Sequence, residues 1–193
     1  MRKIIYFIEY ILIKILFFIF KLIGYKFSSN LGFKIGVIFG PLFKSKKSII
    51  NNLEKANIQN QENLKKIASN ILGNYGRIFA EYIHLQNFRN DKLRKYISIE
   101  GIEHLNYLKK FKKKAIFVSG HFNNFELMAM QIEKAGIELA TIYRPLNNVF
   151  LNRTMEKIRT ENICKNQIKK GRAGSREIIK NVKNGKSIAI MID

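Results

Sequence analysis

Residues 115–126 read AIFVSGHFNNFE, and an alternation of strand and helix begins in this stretch. The run at 115–118 is apolar and rich in strand-forming residues, and Ser119-Gly120 ends it. From Asn124 to Ala135 the sequence favours a helix, which Gly136 terminates. The stretch therefore predicts a short strand that leads into a helix.

The same alternation continues along the chain that follows. Leu139–Tyr143 is a second predicted strand, and Val149–Arg159 is a predicted helix. A further helix is predicted over Ser175–Val182 with Ser175 as its N-cap, and Ser187–Ile192 is a third predicted strand. This β-α-β-α-β order predicts an α/β fold with a mainly parallel sheet, right-handed crossovers and flanking helices.

Composition narrows the class of protein. The chain has 193 residues, 47% hydrophobic and 25% charged, which excludes a disordered or collagen-like polypeptide. A net charge of +21 indicates an anionic partner, which can be a membrane, a nucleic acid or an acidic protein. Cys164 is the only cysteine, so an intramolecular disulfide and a cysteine metal cluster are excluded, and we expect an ordinary thiol. No other metal-site spacing is visible in the sequence.

The N-terminal segment predicts a membrane helix. Residues 4–23 are almost continuously apolar, and as a helix they would be about 30 Å long, close to the thickness of a bilayer core. One helical stripe carries polar and aromatic groups that suit a tilted span and an interfacial helix equally well, namely Lys3, Tyr10, Lys14 and Lys21. No small-residue cleavage site follows, which disfavours a signal peptide. A buried helix of a soluble protein is the third alternative.

These patterns divide the chain into three predicted regions. Residues 1–26 form the membrane-anchoring helix, residues 27–96 a helical, basic, membrane-proximal region, and residues 97–193 the α/β core. The lysines that follow the first helix place the rest of the chain on the cytoplasmic side and favour anionic headgroups.

Polar residues follow the predicted strands. The first strand leads to His121, the second to Arg144 and the third to Asp193. Because ligands of open α/β sheets bind beyond the carboxyl ends of the strands, this placement predicts a site there. His84 and His104 have no comparable setting and are expected to be ordinary polar residues.

The pair His121 and Glu126 is the sharpest chemical feature of the sequence. If the helix begins near Asn123 or Asn124, His121 lies in the turn before it and can reach the carboxylate of Glu126. A carboxylate behind a histidine fixes the tautomer and stabilises the imidazolium, and the helix dipole favours the negative charge of Glu126. No serine or cysteine is placed as a nucleophile, so the base would act on a hydroxyl of the substrate.

The segment from Gly120 to Glu126 resembles the H-x4-D/E motif of the glycerolipid acyltransferase superfamily. It is most similar to the late acyltransferases of bacterial lipid A biosynthesis, the lauroyl and myristoyl transferases. Further segments that match family blocks in order are Tyr143-Arg144-Pro145, Arg159, Gly171-Arg172, Gly185-Lys186 and Ile190-Met191-Ile192-Asp193. The family commonly has Gly and Trp where this chain has Asn123 and Phe125, and its members continue past Asp193, so we expect a fragment or truncated product.

The resemblance implies transfer of a fatty acyl group from acyl carrier protein to a hydroxyl of a phosphorylated lipid A precursor at an anionic membrane, without an acyl-enzyme, cofactor or metal. The implied place is the cytoplasmic face of the bacterial inner membrane. The implied catalytic residues are His121 as base, Glu126 as its orienting carboxylate, Arg159 as a charge stabiliser and Asp193 as a positioning group. The implied substrate-binding residues are Asn124, Arg144, Gly171 and Arg172.

Three alternatives remain at this point. A glycerophospholipid acyltransferase uses the same motif, but its Phe-Pro-Glu-Gly-type block is absent from the sequence. A nucleic-acid-binding protein would explain the charge, and Gly171-Arg172-Ala173-Gly174 is similar to a G-x-x-G loop. The surrounding helices and the N-terminal segment disfavour such a module. No nucleic-acid partner is therefore expected. A non-catalytic membrane scaffold is the third.

Overall fold

The computed structural model describes residues 2–56 and 61–192. In chain order the helices are α1 (Arg2–Phe43), α2 (Lys46–Lys55), α3 (Gln61–Glu81), α4 (Leu85–Arg89), α5 (Ile102–Lys110), α6 (Glu126–Lys134), α7 (Val149–Asn162) and α8 (Arg172–Lys183). Short 3-10 turns occur at Tyr82–His84 and Arg94–Tyr96. The strands are β1 (Ile116–Ser119), β2 (Leu139–Tyr143), β3 (Asn166–Lys169) and β4 (Ser187–Met191).

The four strands form one parallel sheet in the order β1-β4-β2-β3. This confirms the predicted α/β fold with flanking helices. The edge strand β3 was not predicted, because Asn166, Gln167 and Lys169 give it a polar sequence and only Ile168 is buried. The strand predicted as the third is therefore the fourth along the chain.

Two predicted helix starts are wrong by a few residues. Helix α6 begins at Glu126 rather than Asn124. Helix α8 begins at Arg172, with Gly171 rather than Ser175 at the N-cap. The backbone of Gly171 has a φ of 139°, which glycine adopts without the steric cost that a Cβ would add, and this sharp turn starts the helix directly after β3.

Apolar side chains fix the sheet between its helices. Ala140, Ile168 and Ile188 form a buried cluster against which Ile178 of α8 packs. Cys164 is buried beside β2, and burial raises the pKa of its thiol to about 11. A thiol that is protonated at neutral pH is a poor nucleophile, which agrees with the ordinary thiol predicted from the sequence.

The chain packs as two compact units. The first contains residues up to Ile13 together with those from Leu85 onwards, and the second contains Lys14–His84. The three regions predicted from composition, 1–26, 27–96 and 97–193, concern the membrane and catalysis rather than packing, and they stay a prediction.

In the first unit, Asn148 joins the start of α1 to the start of α7. Its side-chain oxygen caps α7 by accepting hydrogen bonds from the backbone N–H groups of Phe150 and Leu151. Its side-chain nitrogen donates to the carbonyl oxygen of Tyr6 at 2.8 Å and to Glu9 Oε2 at 2.9 Å. A buried amide with these four hydrogen bonds is fully satisfied.

In the second unit, α1 and α3 approach closely through glycines. A Cβ on Gly36 would collide with the carbonyl oxygen of Leu72 and lie 3.0 Å from the Cα atoms of Gly73 and Gly76. The same interface buries polar groups, since Ser28 Oγ lies 2.9 Å from His84 Nε2. Burial lowers the pKa of His84, which favours a neutral ring at neutral pH.

Helix α1 contains a non-helical residue, Gly24, with φ 77° and ψ 168°. Among the described residues, no helix combines the length and the apolar character that a bilayer span requires. The predicted membrane helix therefore stays a prediction.

Gly36→Ala is expected to destabilise the second unit by about 1–3 kcal/mol, because backbone atoms of α3 must move to admit the methyl group. At an uncrowded helical site alanine is more favourable than glycine by about 1 kcal/mol, so the same substitution would stabilise the protein there. Urea denaturation followed by circular dichroism measures the change. Asn30→Ala, at an exposed position of α1, is the control, and a stabilised Gly36→Ala protein would contradict the close approach.

Candidate active site

A cavity of about 560 Å³ opens at the carboxyl ends of the strands, where the sequence predicted a site. Five of the predicted site residues line it: His121, Glu126, Arg144, Arg159 and Gly171. They come from the segments that follow β1, β2 and β3 and from α7. The topology thus brings residues from distant parts of the chain to one edge of the sheet.

The turn between β1 and α6 depends on Asn123. Its φ of 46° lies in the left-handed region, where asparagine is among the few side chains that occur routinely. The backbone N–H of Phe125 donates to the carbonyl of Asn123 at 3.0 Å, and α6 then begins at Glu126. The His121 ring meets the Phe125 ring edge to face, with centroids 4.7 Å apart. The turn directs His121 and Glu126 into the same cavity.

Glu126 forms a buried ion pair with Arg159. Arg159 Nε and Nη2 both donate to Glu126 Oε1, at 2.9 and 2.8 Å. The side chains are 18% exposed for the arginine and 9% for the glutamate. Charge-assisted hydrogen bonds of this kind are strong where water is largely excluded. The pair joins the first turn of α6 to α7 at the wall of the cavity.

A second polar cluster lies beside this ion pair. The Tyr143 hydroxyl donates to Glu156, and Lys169 Nζ lies 3.1 Å from Glu156 Oε1. The guanidinium carbon of Arg159 is 5.7 Å from the centroid of the Tyr143 ring, within the range of a cation–π interaction.

These contacts shift the pKa values of Tyr143 and Glu156. Burial, followed by the hydrogen bond to Glu156, raises the pKa of Tyr143 well above its usual range, so its hydroxyl remains a donor. The same hydrogen bond lowers the pKa of Glu156. Glu156 and Lys169 were not identified from the sequence. The signal for Glu156 was its position one helical turn before Arg159 in α7, which places both residues on one face.

Two predicted site residues are not among the described residues that line the cavity, and a third lies outside the described residues. Asn124 lies half-buried in the turn before α6, and Arg172 is exposed at the start of α8; neither is among the described residues that line the cavity. Asp193 lies outside the described residues. In residues 2–56 and 61–192, no group of three or more His, Cys, Asp and Glu side chains is arranged to hold a metal ion.

Comparison with known proteins agrees with the motif. The model of a family described as bacterial lipid A biosynthesis acyltransferase matches residues 1–193. This confirms the family that the segment from Gly120 to Glu126 indicated. No curated protein matches the chain.

Arg159→Met is expected to destabilise the first unit by about 3 kcal/mol, because it leaves the buried Glu126 carboxylate without these two donors. Adding Glu126→Gln removes that charge, so the double variant should lose less stability than the sum of the two single variants. Urea denaturation of all four proteins measures the coupling. Arg153→Met, at an exposed position of the same helix, is the control, and purely additive losses would contradict a coupled pair.

Proposed function

The chain belongs to the bacterial lipid A biosynthesis acyltransferase family, and we propose that it transfers a lauroyl or myristoyl group from acyl carrier protein to a hydroxyl of a phosphorylated lipid A precursor. The observation that carries this proposal is the shared cavity of His121, Glu126 and Arg159 at the strand ends. A histidine, a carboxylate and a fixed positive charge are the groups that a direct acyl transfer to an alcohol requires.

In the proposed mechanism, a ring nitrogen of His121 removes the proton of the acceptor hydroxyl as the oxygen attacks the thioester carbonyl carbon. The new C–O bond forms, negative charge develops on the carbonyl oxygen, and the C–S bond then breaks. The leaving thiolate takes the proton back from the imidazolium, so the histidine returns to its starting state. No acyl-enzyme forms, because the acceptor itself is the nucleophile.

Glu126 and Arg159 support this proton transfer. A carboxylate has two oxygens and about four lone-pair sites, so Glu126 can bind Arg159 through Oε1 and orient His121 as well. Arg159 holds Glu126 in place through its two hydrogen bonds and adds positive charge to the cavity in which the oxyanion develops.

The charge of the chain supports the proposed donor. At +21 the protein attracts an acidic carrier protein and an anionic lipid surface alike. Long-range attraction of this kind speeds association more than it adds affinity, and it weakens as salt increases.

We also propose that α1 lies against the cytoplasmic face of the bacterial inner membrane. In the first unit α1 exposes large apolar side chains, among them Ile4, Ile5, Phe7, Ile8 and Leu12. In the second unit it exposes Ile15, Phe18, Leu22, Phe27, Ile38, Leu42 and Phe43. Exposed apolar surface on this scale, accompanied by lysines, suits an interfacial helix on anionic lipid.

His121→Ala is expected to lower acyl transfer by about 10²–10⁴-fold, the usual contribution of a general base. The assay follows transfer of a radiolabelled lauroyl group from acyl carrier protein to a tetra-acylated lipid A precursor. His104→Ala, which alters an exposed histidine that does not line the cavity, is the control. Turnover of His121→Ala at the rate of the unchanged protein would remove the mechanism.

Phe18→Ser combined with Leu22→Ser is expected to weaken vesicle binding by about 3 kcal/mol, or roughly a hundredfold, because two apolar side chains no longer enter the lipid. Co-sedimentation with phosphatidylglycerol-containing vesicles measures the loss. Phe111→Ser, which changes an exposed apolar residue outside α1, should bind as the unchanged protein does. Equal binding of all three proteins would refute the interfacial role of α1.

A further inference from the structure

We propose that Arg144, Lys169 and Lys170 form a subsite for a phosphate monoester of the acceptor, on the β2–β3 side of the cavity. The inference rests on the proposed function for the identity of the acceptor. It adds which side chains hold the phosphate and on which side of the cavity they lie.

The end of β3 places the two lysines beside Arg144. Lys169 is the last residue of β3, and the backbone N–H of Lys170 donates to the carbonyl oxygen of Tyr143 at 2.9 Å. This hydrogen bond holds the residue after β3 next to the residue before Arg144. All three cationic side chains line the cavity and are exposed, so a ligand can reach them.

The charge balance of the cavity favours an anion. Besides His121, the charged residues lining it in the described part of the chain are Arg144, Arg159, Lys169, Lys170 and Glu126. The one carboxylate in this group is engaged by Arg159, so its charge is compensated within the wall. Glu156 holds Lys169 at 3.1 Å and orients it without lining the cavity.

The chemistry of the three side chains points to phosphate. Arginine presents a planar fork that matches two phosphate oxygens, and lysine adds a compact charge that can approach the third. A phosphate monoester carries close to two negative charges at neutral pH. Arg144, Lys170 and Lys169, whose charge Glu156 offsets in part, can balance these charges.

The strand order separates the two lysines from His121. His121 follows β1 at one edge of the sheet, and Lys170 follows β3 at the other. Three strand spacings separate these edges, about 14 Å at roughly 4.8 Å for each spacing. An acceptor that uses both places must extend across the sheet.

The experiment compares Lys169→Ala/Lys170→Ala with the unchanged protein on two acceptors. One is a tetra-acylated, bis-phosphorylated glucosamine disaccharide, and the other is the same lipid after phosphatase treatment. We expect the KM for the phosphorylated acceptor to increase about tenfold, the effect of losing charged hydrogen bonds, with kcat unchanged. The KM for the dephosphorylated acceptor should be the same for both proteins. An equal rise with both acceptors, or no rise, would overturn the subsite.

Lys180→Ala/Lys183→Ala is the matched control. It removes the same charge from exposed positions of α8 that do not line the cavity, and it should leave both KM values unchanged. A rise equal to that of the subsite variant would assign the effect to net charge and overturn the proposal. The KM for the acyl carrier protein thioester is measured in parallel. A rise confined to that donor would assign the lysines to the phosphate of the carrier's prosthetic arm, which also overturns it.

Failure of the proposed function would give a different experimental result from failure of the subsite. If the unchanged protein acylates neither acceptor, the transfer reaction fails, and equilibrium binding of the two lipids in mixed micelles then decides the subsite. About tenfold weaker binding of the phosphorylated lipid alone to the double variant supports the subsite. Equal affinity of the two proteins for that lipid refutes it.

Discussion

The buried ion pair of Arg159 and Glu126 is the constraint on which the site depends. Neither charge is stable away from water without the other, so the first turn of α6 and the last turn of α7 have to meet. This contact fixes the helix that follows His121, because α6 begins at Glu126 itself. It also fixes the rotation of α7, so that Glu156, one turn before Arg159, reaches the Tyr143 hydroxyl. One electrostatic requirement thereby orders both sides of the cavity.

The sheet topology decides how those groups are distributed. Since β4 lies between β1 and β2, the segment that carries His121 is not adjacent to the one that carries Arg144. Parallel strands all end at the same edge, so His121 and Arg144 line one cavity although two strand spacings separate the strands that lead to them. The strand order thereby distributes the charged groups across the cavity.

The sequence predicted the parts of the fold that are written in local patterns. Strands β1, β2 and β4 are apolar runs ended by turn residues, and His121 with Glu126 lies in one contiguous motif. The edge strand β3 was missed because an edge strand needs little apolar sequence, and the N-cap at Ser175 was wrong because Gly171 supplies the sharper turn. The partner of Glu126 could not be derived from spacing, since an ion pair between residues 33 apart is a tertiary contact.

Helix α7 also connects the first turns of α1 to the Arg159–Glu126 ion pair within the first unit. Asn148 caps α7 and at the same time donates to the carbonyl of Tyr6 and to Glu9. Because all four hydrogen bonds come from one buried amide, the start of α7 cannot shift without breaking contacts to α1. The same α7 carries Arg159 about three turns further on. A displacement of the start of α1 would therefore be transmitted along α7 to the Arg159–Glu126 pair, which couples the N-terminal turns to the wall of the cavity.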